Sequence, residues 1–170
     1  SLSFAQATTR NFDSFSKLDV SGVANITLTQ GNSHSAKIKL KGDISDNEIL
    51  TKVRNNTLYI SLKKRRDGNY RDIEINIELT FKQLEAIDLS GAVSIRNETA
   101  IKSDQFQIKS SGAGSLRLDI NTKELICDLS GASSVKLRGK ANKLKIDLQG
   151  AGSINAYGLT SDVVNADLSG

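Results

Sequence analysis

The chain has 170 residues and a net charge of +4; 25% of it is charged, 38% is hydrophobic, and it has no Pro, Met or Trp. That length supports one domain with a real core, and the small charge excess with only 5% aromatic residues excludes the usual nucleic-acid surface. No run of about 18 apolar residues is present to span a bilayer, and a single cysteine, Cys127, excludes an internal disulfide.

At the start, "SLSFAQATTR" holds Ala5-Gln6-Ala7 behind Leu2 and Phe4. An A-x-A pattern in that setting has the form of a secretory signal cut after Ala7. The expectation is an exported protein (periplasm, cell surface or secreted), with residues 1–9 a leftover leader and 10–170 a single domain. Asp19-Val20-Ser21-Gly22 comes next, and then the stretch 23–87, where "ITLTQG", "AKIKLKG", "NTLYISLKK" and "DIEINIELT" alternate apolar and polar residues. Such alternation is the mark of half-buried strands. Asn55-Asn56 and Asp67-Gly68 read as hairpin turns, so this stretch is expected to form longer, partly antiparallel strands that cap the C-terminal half of the chain. It contains the densest charge run, "KKRRDGNYR" at 63–71, where Arg65 and Arg66 stand near Tyr70. That run reads either as a contact for anionic glycan or membrane, or as a hairpin tip kept soluble by charge.

From residue 88 the chain repeats itself. "DLSGAVSIRN" (88–97), "DLSGASSVKL" (128–137) and "DLQGAGSINA" (147–156) are near copies, and "DLSG" returns at 167–170. The glycines 91, 112, 131, 150 and 170 are separated by 21, 19, 19 and 20 residues. A fixed period of this size signals stacked repeats. Apolar residues recur two, four and six positions before each glycine, as in Leu125, Cys127 and Leu129. A second alternating pair comes after it, as in Val135 and Leu137. Each unit therefore reads as strand, glycine corner, strand and a variable return of about eight residues. The fold expected is all-β, a parallel β-solenoid or β-helix with about 20 residues per coil, with a hairpin-containing cap over 23–87 and regular coils over 88–170. The chain stops mid-unit at "DLSG", which leaves an edge through which copies could form a homo-oligomer.

Repetition also lines up charges. Three residues before the glycines stand Asp19, Asp88, Lys109, Asp128, Asp147 and Asp167. The run Asp128, Asp147 and Asp167 reads either as a calcium site, since calcium takes several oxygen ligands, or as a column that is screened by lysine and solvent and bonds the corner backbone. Five residues after the glycines stand Arg96, Arg117 and Lys136, then Asn155. These read as a binding row for sulfated or carboxylated glycan, or as a solvated face. No catalytic residue is indicated. Cys127, in "LICDL", reads as a small buried hydrophobe; the one histidine, His34, lies in a polar turn; and no nucleophile, phosphate-loop or metalloprotease motif is present. No cofactor is implied.

The opening "LDVSGVANITLTQG" (18–31), with "LYISLKK", "IEINIELTFKQLEAIDLSGA" and the tandem "LSGA" units, resembles the head domain of putative auto-transporter adhesins, a family common in Bacteroides-like bacteria. The likeness covers about residues 10–170. It implies a secreted or surface-anchored β-solenoid, no established activity and no catalytic residues. The reading is an exported, non-enzymatic envelope or surface module that binds glycan or a surface protein. The alternatives are a β-helix carbohydrate-active enzyme and a purely structural, self-assembling module.

Overall fold

The computed structural model describes residues 7–170, so Ala5 and Gln6 of the proposed cleavage pattern lie outside the described residues. In chain order the strands are β1 (Thr8–Asn11), β2 (Lys17–Gln30), β3 (Ser35–Lys41), β4 (Ile49–Arg54), β5 (Thr57–Leu62), β6 (Glu74–Phe81), β7 (Ala86–Asn97), β8 (Ile101–Ser110), β9 (Ser115–Gly131), β10 (Ser134–Gly150) and β11 (Ser153–Ser169). A short 3-10 turn at Asp46–Glu48 is the one helical element among the described residues.

The expected regular parallel β-solenoid is not what forms. All eleven strands join one mixed sheet, which does not close into a solenoid, with the main order β1-β3-β6-β2-β7-β8-β9-β10-β11. β1–β3, β3–β6 and β4–β5 are antiparallel, and the other pairs are parallel. The physical reason lies in the N-terminal half, where the chain reverses. Asn55 and Asn56 both adopt left-handed backbone angles, φ 47° and 61°. That is the two-residue turn whose twist suits a hairpin, and it sets β4 against β5. Asp67-Gly68, the second hairpin turn expected from the sequence, does not join two paired strands. β5 and β6 pair in parallel with opposite ends of β2, at Lys17–Val20 and Asn25–Gln30, so the segment between them carries the chain onward instead of turning it back.

The expected eight-residue returns are also strand. β9 runs unbroken from Ser115 to Gly131, and the chain breaks just after the glycine, at Ala132-Ser133. Parallel pairing with the neighbours on both sides satisfies the backbone of the intervening residues. Register there is 19 residues: Gly131 faces Gly150, Ser115 faces Ser134, and Ser134 faces Ser153. Inward positions therefore stack on inward positions. Leu18, Ile87, Ile108, Cys127 and Ile146 form one ladder across β2, β7, β8, β9 and β10, and Phe106, Leu125 and Leu144 form another. All but Ile146 are buried. Ser110 takes a core position and is satisfied there: its hydroxyl bonds that of Ser133 at 2.6 Å, and Ser133 also donates to the Gly112 carbonyl. Burial pushes the Cys127 thiol up to about 12, so it stays protonated. On the last strand, β11, Val164 continues the second of these ladders and Leu168 continues the one through Leu129 and Leu148; both are uncovered, at 56% and 67% exposure.

The glycines hold the stack at its closest point. Gly91 has φ +99°, and a Cβ there would sit 2.4 Å from the Gly22 carbonyl oxygen. The alanine after each later glycine donates its amide to the glycine carbonyl one repeat earlier: Ala113 to Gly91, Ala132 to Gly112 and Ala151 to Gly131, at 3.0–3.1 Å. Gly91→Ala combines a left-handed backbone with a backbone clash. It should cost about 3 kcal/mol, a drop in Tm of roughly 6–12 °C for a domain of this size. An unshifted thermal unfolding curve would contradict the stacked-corner account.

Candidate functional site

Parallel register turns each sequence column into a row of side chains across the sheet. The cationic row is Arg96, Arg117 and Lys136, facing one another on β7, β9 and β10, with Thr27 on one side and Asn155 on the other. Neighbouring strands stand about 4.8 Å apart, so like charges lie side by side. All three are exposed, and none forms an ion pair among the described residues. Other cations do find acids: Arg10 with Asp46 at 3.0 Å, Lys39 with Glu78 at 3.1 Å and Lys123 with Asp104 at 2.8 Å.

Two residues earlier on the same face runs a row of small polar groups. Asn76, Asn25, Ser94, Ser115, Ser134 and Ser153 face one another in turn on β6, β2, β7, β9, β10 and β11. The Asn25 amide donates to Asn76 at 3.2 Å, which donates in turn to Glu74 at 2.8 Å. One end of the two rows (Arg96 and Arg117, with Asn76, Asn25, Ser94 and Ser115) lines a shallow hollow of about 760 Å³ together with Thr27, Lys39 and Glu78; Lys136, Ser134 and Ser153 continue the rows outside it.

The acidic column also forms a row: Asp19, Asp88, Lys109, Asp128, Asp147 and Asp167 in register. Lys109 separates its two acidic runs. Burial, and then the charge of Asp88, raise the Asp19 carboxyl above its ordinary value of 3.8. Asp128, Asp147 and Asp167 stand side by side, and Gln149 donates to Asp147 at 3.3 Å. Among the described residues no group of three or more His, Cys, Asp or Glu side chains is arranged to hold a metal ion.

The basic run at 63–71 is arranged differently. Arg65 turns inward: its Nε donates to Glu48 at 2.7 Å, Nη1 to the Asn69 carbonyl at 2.9 Å, and Nη2 to the Asp43 carbonyl. Its guanidinium lies 5.1 Å from the centre of the Tyr70 ring, and the Tyr70 hydroxyl donates to the Lys63 carbonyl. Hydrogen bonds from Arg65 and then from Ser45 hold the Glu48 carboxyl down at about 2. Arg65 and Tyr70 thus clasp the loop to the 3-10 turn, whereas Arg66 is exposed. The structure joins Arg96, Arg117 and Lys136 in one row and leaves the 63–71 run apart from it. Sequence reading missed Glu48 as the partner of Arg65, because nothing in a local pattern links positions 17 residues apart. It also missed the serine row, although Ser94, Ser115, Ser134 and Ser153 each stand three residues after a repeat glycine.

The model of the family described as putative auto-transporter adhesin, head GIN domain, matches residues 14–170. The chain belongs to that family. Its fold is similar to the crystal structure of a putative adhesin from Bacteroides fragilis, 26% identical, with a TM-score of 0.83 over 96% of this chain and 76% of that one. It is also similar in fold to a putative lipid binding protein from Parabacteroides distasonis, 15% identical, TM-score 0.70, covering 95% and 78% of the two chains. A putative adhesin from Parabacteroides merdae, 14% identical, TM-score 0.64, covers 97% and 78%. No curated protein matches the chain. Within the described residues no helix is long and apolar enough to cross a membrane.

The electrostatics of this family member lead to two expected outcomes. A folded-state carboxyl raised above its unfolded value destabilises the fold as pH rises past 3.8 through the folded value. Asp88→Asn removes the smaller of the two causes of the Asp19 shift, so the Asp19 carboxyl should titrate at lower pH, nearer 3.8, in an NMR pH titration; an unmoved Asp19 titration would contradict the coupling. The Glu48 carboxyl is lowered, so the clasp is fully present above about pH 4.5 and is lost as pH falls through about 2. Arg65→Gln should speed limited proteolysis of the 63–71 loop at neutral pH, and Arg66→Gln should not; equal cleavage of the two variants would refute the clasp.

Proposed function

We propose that the chain is an exported, non-enzymatic module of the cell envelope that attaches to a surface component, glycan or protein, through the strand face carrying Arg96, Arg117 and Lys136. The observation that carries this reading is the row of three exposed cations without acid partners, held in register on a rigid sheet beside a row of hydroxyls. Like charges placed directly opposite one another across strands are unfavourable, and a bound anion removes that cost. Membership of an adhesin family and the likeness to a putative adhesin from Bacteroides fragilis support surface attachment. The buried, protonated Cys127 offers no thiolate nucleophile, which favours binding over catalysis. Arg66 and the exposed lysines of the 63–71 loop supply a second, separate patch for anions.

A glycan array probed with residues 8–170, in calcium and in chelator, tests this reading. Salt-sensitive hits lost in the variant Arg96→Ser with Arg117→Ser and Lys136→Ser are the expected result. Loss with chelator alone would move the site to Asp128, Asp147 and Asp167. A blank array with concentration-dependent oligomers in sedimentation would favour self-association, and turnover of a glycan by the pure protein would overturn the non-enzymatic reading.

A further inference from the structure

The geometry of this face points to a particular ligand class: an extended acidic polysaccharide that carries a carboxylate on every ring and lies across the strands. This inference rests on the proposal above that the cationic face is the attachment surface. Arg96, Arg117 and Lys136 are one strand apart, so the cations recur about every 4.8 Å. That interval is close to the advance of one ring along an extended pyranose chain. A polymer with an acid on every ring therefore offers one acid per cation interval; successive rings turn over, and the long, flexible Arg and Lys side chains reach the carboxylates from both edges of the chain. A polymer with an acid on every second ring leaves the middle cation, Arg117, facing an uncharged sugar.

The neighbouring row completes the match. Ser94, Ser115 and Ser134 precede the three cations by two residues on the same strands, about 6.6 Å along the strand direction. Each strand thus offers a hydroxyl and a cation side by side, and each sugar ring offers ring hydroxyls at one edge and its carboxylate at another. Hydroxyls both donate and accept, which suits a polyol. Single-stranded nucleic acid, the other common polyanion, stacks successive bases on aromatic faces; the hollow at Arg96 and Arg117 is lined by none, and Tyr157, next to Asn155 at the far end, supplies a single exposed ring. Acids bound the row on two sides. Glu78 lies beyond Thr27 and is held by Lys39 at 3.1 Å; Asp119 lies two residues past Arg117, opposite Arg138. The anion-accepting track is thereby confined to the three cations and the open position at Asn155.

The test measures binding of the full chain, in chelator, to oligogalacturonate (an acid on every ring), to hyaluronan fragments of equal length (an acid on every second ring), to dextran and to single-stranded DNA. The expected result is affinity for oligogalacturonate about tenfold or more above that for hyaluronan, weakening with salt, and none for dextran. Arg117→Ser should lower oligogalacturonate affinity about tenfold without lowering Tm, because the residue is exposed and its removal relieves repulsion with Arg96 and Lys136. Asn155→Lys should raise affinity by adding a fourth cation to the row. Equal affinity for hyaluronan or for DNA, or binding indifferent to Arg117→Ser, would overturn the spacing inference and leave glycan attachment standing. Array hits confined to neutral glycans would overturn it as well. No binding in this assay together with a blank array would remove both.

Discussion

Close backbone contact at the glycine corners is the constraint on which the rest of this structure depends. A Cβ at Gly91 would stand 2.4 Å from the Gly22 carbonyl oxygen, and one at Gly131 would stand 2.7 Å from that of Gly112. Only glycine lets successive repeats approach so nearly while the chain bends through positive φ. The amides of Ala113, Ala132 and Ala151 then bond the glycine carbonyls of the repeat before. Once the corners are locked, every residue on either side is held in register with its counterpart. A one-residue slip would turn the whole core face outward.

Register of that kind acts on charge as well as on packing. Repeating a polar position in sequence places identical groups about 4.8 Å apart in space. Hydroxyls gain from this, because a serine can donate to one neighbour and accept from another. Like charges lose, by about 1 kcal/mol per adjacent pair in water. The two charged rows meet that cost differently. Lys109 interrupts the acidic row, and burial with the nearby Asp88 charge raises the Asp19 carboxyl. Asp128, Asp147 and Asp167 are adjacent, but Lys109 stands at the end of their run and Gln149 donates to Asp147. In the cationic row no acid intervenes between Arg96 and Lys136, and its in-register neighbours, Thr27 and Asn155, are neutral. The cationic row is the stronger basis for attachment, since an external anion supplies what the fold withholds.

The contrast with Arg65 shows why charge density in sequence is a poor guide to an open surface. The run at 63–71 is the densest in the chain, yet its first arginine is spent on Glu48, Asn69, Asp43 and Tyr70. Arg117, with no basic neighbour in sequence, gains Arg96 and Lys136 through strand pairing. Local sequence measures how many charges lie along the chain; tertiary structure decides how many remain available.

The alternating strands, the glycine column, the Asn55-Asn56 turn, the two charged columns and the burial of Cys127 were legible in the sequence, and the family was legible in the same motifs. These are properties of period: a side chain's face is set by odd or even position, and its row by the spacing between repeats. The mixed sheet was not legible. Whether β3 and β4 run with or against their neighbours depends on turns and long-range pairing that leave no periodic trace, and so the expected parallel coils gave way to one sheet with three antiparallel pairs. Gly139 also escaped notice; it lies outside the glycine column, yet it has φ +103° and its Cβ would stand 2.2 Å from the Ile120 carbonyl oxygen. Which residues share a row follows from repeat spacing and odd or even position along the chain. Which charges stay unpaired follows from the fold, because partners such as Glu48 and Asp43 are brought to Arg65 by folding and not by proximity along the chain.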